Sequence, residues 1–528
     1  MRQRSESARI GTKSLLAVLF VVTGAQLGLS QGDPIVSVTG GRVRGTLLNG
    51  GGAVFKGIPY AQPPTGERRW REPLPVKGWA GVRHAKEFGA PCAQKADPIF
   101  GDAREDCLFI NVWAPRWPSR SRTPVMVWIP GGGNFAGGSH LPDFDGERLA
   151  RRGIILVTLN YRLGAFGFFS HPALSRESPH HASGNQGILD QIAALRWVRK
   201  NIARFGGDPA NVTIFGQSAG SLDVSALMTS PLSKGLFHRA IGQSGTVSLA
   251  GDPLVLSHAQ KRGEAAAARW AGREAASLGA LRALSTAQIL EAEPDLARNA
   301  DPSGAAFPNL GITVDGYVFP RKPADAFAAG QHHGVPLLLG NTAREVIPGT
   351  RPPTDLKKAI ADVYGPLAAR AEALYGETDP VHGTAAAQWA TDTSFRCPAV
   401  AQSLWHAAAG HSTYAYEFAR VAEGREARGA THGADLAYVF GTLDLGIGWP
   451  RAKANDVDVR VSDVMQRYWT NFARTGNPND GDLPRWPRFD PASRAYVEFS
   501  DAGPLAKEGL RRRQCDLFME HIGGPKAK

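Results

Sequence analysis

Short apolar segments recur along the chain and alternate with longer stretches in which apolar residues return every three to four positions. The short segments are continuous or rich in β-branched residues, which is typical of strands covered on both faces. The longer stretches, over 187–205 and 462–475, predict helices. The predicted strands are residues 125–129, 154–159, 212–215, 335–339 and 413–418.

This alternation of strands and helices favours an α/β fold with a large, mostly parallel central sheet flanked by helices. An alanine-rich stretch over 260–296 interrupts the rhythm and predicts a helical cap inserted on the sheet. No Ser/Gly-rich linker divides the chain, so we expect one large unit rather than several domains.

The N-terminus has the pattern of a processed segment. Four basic residues within 1–13 precede an uncharged run over 14–32, whose apolar centre spans only eight residues, 15–22. That length suits a signal-peptide core better than a membrane span. The small residues Gly28 and Ser30 fit cleavage after Ser30. We therefore predict a signal peptide over 1–30 and a single domain over 31–528, with an uncleaved N-terminal anchor as the alternative.

Composition and charge exclude several classes of protein. The chain is 43% hydrophobic and 20% charged, which is ordinary for a globular protein. Its formal charge of +12 falls to +9 without residues 1–30. The longest basic run is 511–513, with no aromatic residues interleaved, so the charge indicates a solvated surface and not nucleic-acid binding. No H-E-x-x-H pattern occurs, and the histidine pairs at 180–181 and 332–333 lack partners at metal spacing. Neither a metal nor an organic cofactor is predicted.

A candidate nucleophile lies in the pentapeptide Gly216-Gln217-Ser218-Ala219-Gly220. It follows the predicted strand 212–215 and precedes a segment, 221–228, that can form a helix. A serine on a sharp strand-to-helix turn exposes its hydroxyl, and glycines allow the close backbone approach that this turn requires. A serine in an ordinary glycine-flanked turn is the structural alternative.

Serine needs a base, and the base needs an acid to orient it. The predicted strand 335–339 leads into a segment that contains Glu345, and the strand 413–418 is followed by His432. The chain order Ser218, Glu345, His432 is the order found in the α/β-hydrolase arrangement. His432 is the predicted proton acceptor for Ser218, and Glu345 the predicted partner of the imidazole.

A triple glycine, 131–133, follows the predicted strand 125–129. Backbone N–H groups aimed at one point can stabilise the oxyanion of a tetrahedral intermediate. We predict that backbone N–H groups of this triplet supply such donors and that Ala219, directly after the nucleophile, supplies another. A flexible glycine loop is the alternative interpretation.

At this point the sequence resembles the type-B carboxylesterase family, the relatives of cholinesterases. The resemblance covers about residues 35–522 and is carried by several blocks in order. These are 55–60 (FKGIPY), 105–112 (EDCLFINV), 184–191 (GNQGILDQ), 212–220 (VTIFGQSAG) and 468–479 (YWTNFARTGNPN).

The resemblance implies an α/β-hydrolase fold with Ser218 as nucleophile, Glu345 as acid and His432 as base. It also implies oxyanion donors at Gly132, Gly133 and Ala219, and a supporting hydrogen bond from Ser244, for which a turn serine at the edge of the core is the alternative. The four cysteines match two family disulfides, Cys92–Cys107 and Cys397–Cys515. Free buried thiols are the alternative to these bridges.

Some positions depart from the family pattern. Pro130 replaces an aromatic residue or histidine, and Asn134 replaces a phenylalanine common after the triple glycine. Arg344 and Val346 flank the acid where Asp and Gly are usual, and Gln217 stands where cholinesterases have an acidic residue. The loop 92–107 contains no tryptophan, which disfavours a choline site.

The function expected from the sequence is a secreted or periplasmic serine esterase that hydrolyses small carboxylic esters through an acyl-enzyme on Ser218. An acyltransferase or an amide or carbamate hydrolase with the same residues is the alternative within this chemistry. A non-catalytic adhesion protein is the alternative outside it. We expect neither a nucleic-acid partner nor stable membrane insertion after the signal peptide is removed.

Overall fold

The computed structural model describes residues 32–119, 122–247, 253–272, 277–292, 311–346, 352–448 and 451–523. The predicted signal peptide therefore lies outside the described residues. The chain separates by its internal contacts into Met1–Asp33 and Pro34–Lys528, and every element below belongs to the second unit.

The described residues form the following strands in chain order: β1 Ile35–Val38, β2 Gly41–Arg44, β3 Thr46–Leu47, β4 Ala53–Pro59, β5 Val82–His84, β6 Phe109–Ala114, β7 Thr123–Ile129, β8 Ile155–Leu159, β9 Gly207–Gln217, β10 Arg239–Gln243, β11 Leu254–Val255, β12 Thr313–Val314, β13 Leu337–Thr342, β14 Thr413–Phe418, β15 Ala495–Ser500 and β16 Gly503–Glu508.

The described α-helices, in chain order, are α1 Glu147–Arg151, α2 Gly164–Gly167, α3 Pro172–Glu177, α4 Gln186–Asn201, α5 Ala219–Leu227, α6 Leu256–Ala271, α7 Leu278–Ala283, α8 Thr286–Ala292, α9 Pro323–Ala328, α10 Leu356–Tyr364, α11 Ala368–Glu372, α12 Ala385–Thr391, α13 Cys397–Ala408, α14 Leu436–Phe440, α15 Asp456–Thr475 and α16 Arg512–His521.

The central sheet has eleven strands in the order β16-β15-β14-β13-β10-β9-β7-β8-β6-β4-β3. Each neighbouring pair from β15 to β8 is parallel, and the pairs at the two edges are antiparallel. The predicted mostly parallel sheet is therefore confirmed. Parallel strands end at the same edge of the sheet, so the loops after β7, β9, β13 and β14 lie together.

Helices cover both faces of this sheet. Along β7, Val125 and Val127 pack in one apolar cluster with Ile188 and Leu195 of α4. The alternating residue Trp128 packs in a second cluster that contains Tyr468, Trp469 and Phe472 of α15. This arrangement explains why the strand is apolar at successive positions, since both of its faces are buried.

All five predicted strands are present as β7, β8, β9, β13 and β14, with ends shifted by up to five residues. β9 begins at Gly207 rather than at residue 212, because Gly207 pairs with Thr123 of β7. α15 begins at Asp456 rather than at residue 462. Asn455 caps it by accepting hydrogen bonds from the N–H groups of Val457 and Asp458.

The predicted cap is helical in its described part, which consists of α6, α7 and α8. Residues 273–276 and 293–296 of the predicted stretch lie outside the described residues. Ala266 and Ala267 of α6 pack with Phe166 and Phe169. The small side chains of this stretch allow that close packing. No helix among the described residues combines the length and apolar character needed to cross a bilayer.

Candidate active site

Ser218 lies at the sharp turn between β9 and α5. Its backbone has φ +57° and ψ −126°, a conformation that residues other than glycine rarely adopt. A Cβ at Gly220 would lie 2.1 Å from the carbonyl oxygen of Ile129, so this position of the turn requires glycine. The Ser218 N–H donates to the carbonyl of Gln243, 2.8 Å away, which joins the turn to β10. The structure thus has the strand–turn–helix geometry expected for this pentapeptide.

Glu345 and His432, which are 87 residues apart, are joined by a hydrogen bond between their side chains. Glu345 follows β13 and His432 lies in the loop after β14, so the parallel sheet brings both residues to one edge. The distance from His432 Nδ1 to Glu345 Oε2 is 2.5 Å. The other carboxylate oxygen accepts a hydrogen bond from the N–H of Thr342 at 2.7 Å. Both carboxylate oxygens are therefore engaged, and the imidazole is held by its Nδ1 side.

The second ring nitrogen of His432 contacts Gln217, the residue before the candidate nucleophile. The amide Nε2 of Gln217 lies 3.0 Å from His432 Nε2. The amide donates in this arrangement, so Nε2 accepts and Nδ1 carries the proton that it donates to Glu345. This is the neutral tautomer that a general base requires. Among the described residues the hydroxyl of Ser218 makes no hydrogen bond.

The sequence does not predict the contact between Gln217 and His432, because in the sequence Gln217 stands out only as a departure from the family pattern. Gln217 and His432 are 215 residues apart, and their meeting depends on the strand order. The one sequence feature that could have indicated this contact is that Gln217 directly precedes Ser218.

The triple-glycine loop passes beside the candidate nucleophile. A Cβ at Gly131 would lie 3.1 Å from the Cβ of Ser218. Gly132 has φ +111°, and a Cβ there would lie 2.1 Å from the carbonyl oxygen of Ala136, so only glycine fits. In the described part of the chain, the N–H groups of Gly132, Gly133 and Ala219 donate to no other protein group. These three N–H groups are therefore unengaged, as donors to an oxyanion would have to be.

Arg344 and Ser244, two further residues singled out in the sequence, differ in their contacts. The guanidinium of Arg344 donates to three backbone carbonyls, those of Pro380, Val381 and Ala427. Ser244 is fully buried and has φ +54°, but its hydroxyl has no partner among the described residues. A supporting hydrogen bond from Ser244 therefore stays a prediction.

A second carboxyl group is buried close to Glu345. Asp435 accepts hydrogen bonds from Gln243 Nε2 at 2.9 Å and from the Tyr416 hydroxyl at 2.8 Å. Burial raises the pKa of Asp435, and these two hydrogen bonds offset only part of that effect. Both partners donate to Oδ2 of Asp435, and its Oδ1 has no hydrogen-bond partner among the described residues.

The two cysteine pairs expected from the resemblance are bonded in the structure, as Cys92–Cys107 and Cys397–Cys515. The second bond joins the first residue of α13 to α16. No group of three or more His, Cys, Asp or Glu side chains in the described ranges is arranged to hold a metal ion.

Comparisons with known proteins identify the family and the fold. The sequence profile of the Carboxylesterase family matches residues 32–518. The chain belongs to the carboxylesterase family. It is therefore a carboxylic-ester hydrolase, and the predicted α/β-hydrolase fold is confirmed.

Two relatives and one solved structure illustrate the similarity. A para-nitrobenzyl esterase of Bacillus subtilis is 37% identical over 504 residues, 92% of this chain and 98% of that protein. A fumonisin B1 esterase of Sphingopyxis macrogoltabida is 35% identical, over 86% of this chain and 84% of that protein. A solved PNB esterase structure has a TM-score of 0.80 at 33% identity and covers 92% of this chain and 99% of that chain.

Proposed function

We propose that this carboxylesterase acts through an acyl-enzyme on Ser218, with His432 as general base and Glu345 as its partner. The observation that carries the proposal is the convergence of four chain segments, those after β7, β9, β13 and β14, at one sheet edge. The strained Ser218, the hydrogen-bonded Glu345–His432 pair and three unengaged N–H groups all lie at the ends of parallel strands.

The proposed reaction has two halves. His432 Nε2 takes the proton of Ser218 while the hydroxyl oxygen attacks the ester carbonyl, and the oxyanion accepts hydrogen bonds from Gly132, Gly133 and Ala219. His432 then gives the proton to the leaving alcohol. In the second half, His432 activates a water that releases the carboxylic acid. The Gln217 amide must leave His432 Nε2 before that atom accepts the serine proton, since both contact the same lone pair.

The experiment is Ser218→Ala, assayed on p-nitrophenyl esters together with fluorophosphonate labelling of the parent. We expect ester turnover to fall by about 10³-fold or more, because removal of the nucleophile leaves only binding and oxyanion stabilisation. Labelling should map to Ser218. Near-normal turnover in the folded variant would refute the assignment. Product analysis with competing alcohols and amines separates hydrolysis from acyl transfer.

We further propose that the enzyme is exported to the periplasm or the medium. Its two disulfides support an oxidising compartment, where such bonds form and persist. N-terminal sequencing of exported protein is expected to begin after residue 30. A start at Met1 would contradict cleavage of the predicted signal peptide.

A further inference from the structure

Behind the triple-glycine loop lies a buried pair of polar side chains that the proposed reaction does not use. Asn134 directly follows the glycines, and its side-chain Nδ2 lies 3.1 Å from Oδ1 of Asp223. Asp223 is on α5, the helix that begins immediately after the nucleophile. Asn134 is 2% exposed and Asp223 is fully buried, so solvent does not compete for this hydrogen bond.

The remaining polar atoms of this pair also have partners. The Tyr161 hydroxyl lies 2.8 Å from Asn134 Oδ1 and 2.9 Å from the carbonyl of Pro130. The second oxygen of Asp223 accepts from Gln191 Nε2 at 2.6 Å. The backbone carbonyl of Asn134 accepts from the N–H of Gly164 at 2.7 Å. The loop is thus held through both the backbone and the side chain of one residue.

The backbone of Asn134 fits this position. Its φ is +61°, a region that asparagine tolerates better than most residues with a side chain. The phenylalanine that many relatives have after the triple glycine could not bond to Asp223. Asn134, which departs from the family pattern, therefore contacts α5, the helix that begins directly after Ser218.

We propose that Asn134 and Asp223 are positioning residues that fix the oxyanion donors of the triple-glycine loop relative to Ser218 and Ala219. The hydrogen bond between Asn134 and Asp223 joins the loop that carries Gly132 and Gly133 to the helix that follows Ser218 and begins with Ala219. Because oxyanion donors act only within a narrow range of distances, a shift of the loop of about 1 Å lowers the rate steeply. The inference rests on the proposed function, since it requires the oxyanion to form beside Ser218.

The electrostatics of Asp223 set the conditions for a test. Among the described residues, no side-chain cation forms an ion pair with Asp223. Burial raises the pKa of its carboxyl to about 7, although Gln191 and Asn134 both donate to it. Assays at pH 8.5 therefore keep Asp223 ionised and make it a pure acceptor.

The test uses two single variants and one double variant. Asn134→Gly removes the side chain but tolerates the positive φ, and Asn134→Asp replaces the donor by a second carboxylate. For both we expect kcat to fall by about 10- to 100-fold with KM within about threefold, because the donors meet the oxyanion only in the transition state. The inhibition constant of an aryl trifluoromethyl ketone, which forms a tetrahedral adduct with the nucleophile, should rise by the same factor.

The double variant Asn134→Asp/Asp223→Asn reverses the polarity of the link. The new amide at 223 can donate to the carboxylate at 134 and still accept from Gln191. We expect it to recover kcat to within about fivefold of the parent, which simple loss of stability would not produce. If Asn134→Gly fails to fold, the comparison of Asn134→Asp with the double variant decides.

Asn185→Asp is the matched control. Asn185 is also a buried asparagine whose Nδ2 donates to a carboxylate, Asp315 Oδ2 at 2.8 Å. It lies in the loop before α4, so we expect kcat per titrated active site to be unchanged.

Asn134 variants with native melting temperatures and full turnover, or a folded double variant that does not recover its turnover, would overturn the proposed role of the Asn134–Asp223 hydrogen bond. The Ser218→Ala variant tests the proposed function independently, because near-normal esterase activity in that variant would refute it whatever the result for the Asn134 variants.

Discussion

Ser218 combines a reactive position with an unfavourable backbone conformation. Its φ of +57° and ψ of −126° belong to a sparsely populated region for a residue with a Cβ. The surrounding contacts impose this conformation, since the Ser218 N–H is bonded to Gln243 and its carbonyl accepts from Ser221 and Leu222. The fold therefore stores strain at the residue whose hydroxyl has to be exposed.

This strain predicts a difference between two inactive variants. Strain of this kind costs about 1–3 kcal/mol, and glycine avoids it but adds about 0.5–1 kcal/mol of unfolded-state entropy. We expect Ser218→Gly to be about 1 kcal/mol more stable than Ser218→Ala in urea unfolding, with both variants lacking esterase activity. A glycine variant that is less stable than the alanine variant would show that the turn is not strained.

At the scale of elements, the sequence predicts the interior of the sheet better than its edges. β7 and β8 are apolar at nearly every position because both faces are buried, and this pattern is readable without tertiary information. β16 is an exposed edge strand with the sequence GPLAKE, and β10 is short with Ile241 as its one large apolar side chain, so neither stands out. β4 contains an irregularity between Phe55 and Ile58 that breaks its alternation.

The candidate site follows the same division. Ser218, Glu345 and His432 were predictable because each follows a recognisable strand. The contacts of Gln217 with His432 and of Asn134 with Asp223 could not be predicted, because they join residues that are 215 and 89 positions apart in the sequence. Such contacts depend on strand order and side-chain direction, which single-sequence patterns do not encode.

The Cys397–Cys515 bond joins two elements that are distant in sequence, α13 and α16. Its cysteines are 118 positions apart, against 15 for Cys92–Cys107, and all four are buried. In the chain-entropy model, a loop of the larger size contributes about 4.7 kcal/mol and one of the smaller size about 3 kcal/mol.

We therefore expect Cys397→Ser/Cys515→Ser to lose about 1–2 kcal/mol more stability than Cys92→Ser/Cys107→Ser, measured by urea unfolding of the purified proteins. The two double variants are matched, because each buries two serine hydroxyls and leaves no unpaired cysteine. An equal loss, or a larger loss for the short loop, would contradict the entropic account.

At the scale of the whole molecule, three histidines gather where α9, α13 and β14 approach each other. The ring centres of His332 and His406 are 5.1 Å apart, those of His406 and His411 are 5.1 Å apart, and those of His332 and His411 are 5.5 Å apart. His406 is fully buried, and it is hydrogen-bonded to the Thr413 hydroxyl and to the carbonyl of Val335. Burial, with the neighbouring imidazoles second, lowers the pKa of His406 to about 3 and that of His332 to about 4.

These lowered pKa values predict an acid-sensitive fold. An unfolded histidine binds a proton below about pH 6.5, whereas His406 and His332 in the folded protein stay neutral until about pH 4. Between these limits the unfolded state holds more protons, so the free energy of unfolding falls as the pH falls from 6.5 toward 4.

We expect His406→Gln, which retains an amide donor and acceptor but does not titrate, to reduce the drop in melting temperature between pH 7 and pH 4.5. Replacement of the exposed His84 by Gln is the control and should leave that drop unchanged. Equal acid sensitivity in the His406 variant and the parent would mean that other groups, and not this cluster, set the acid limit of the fold.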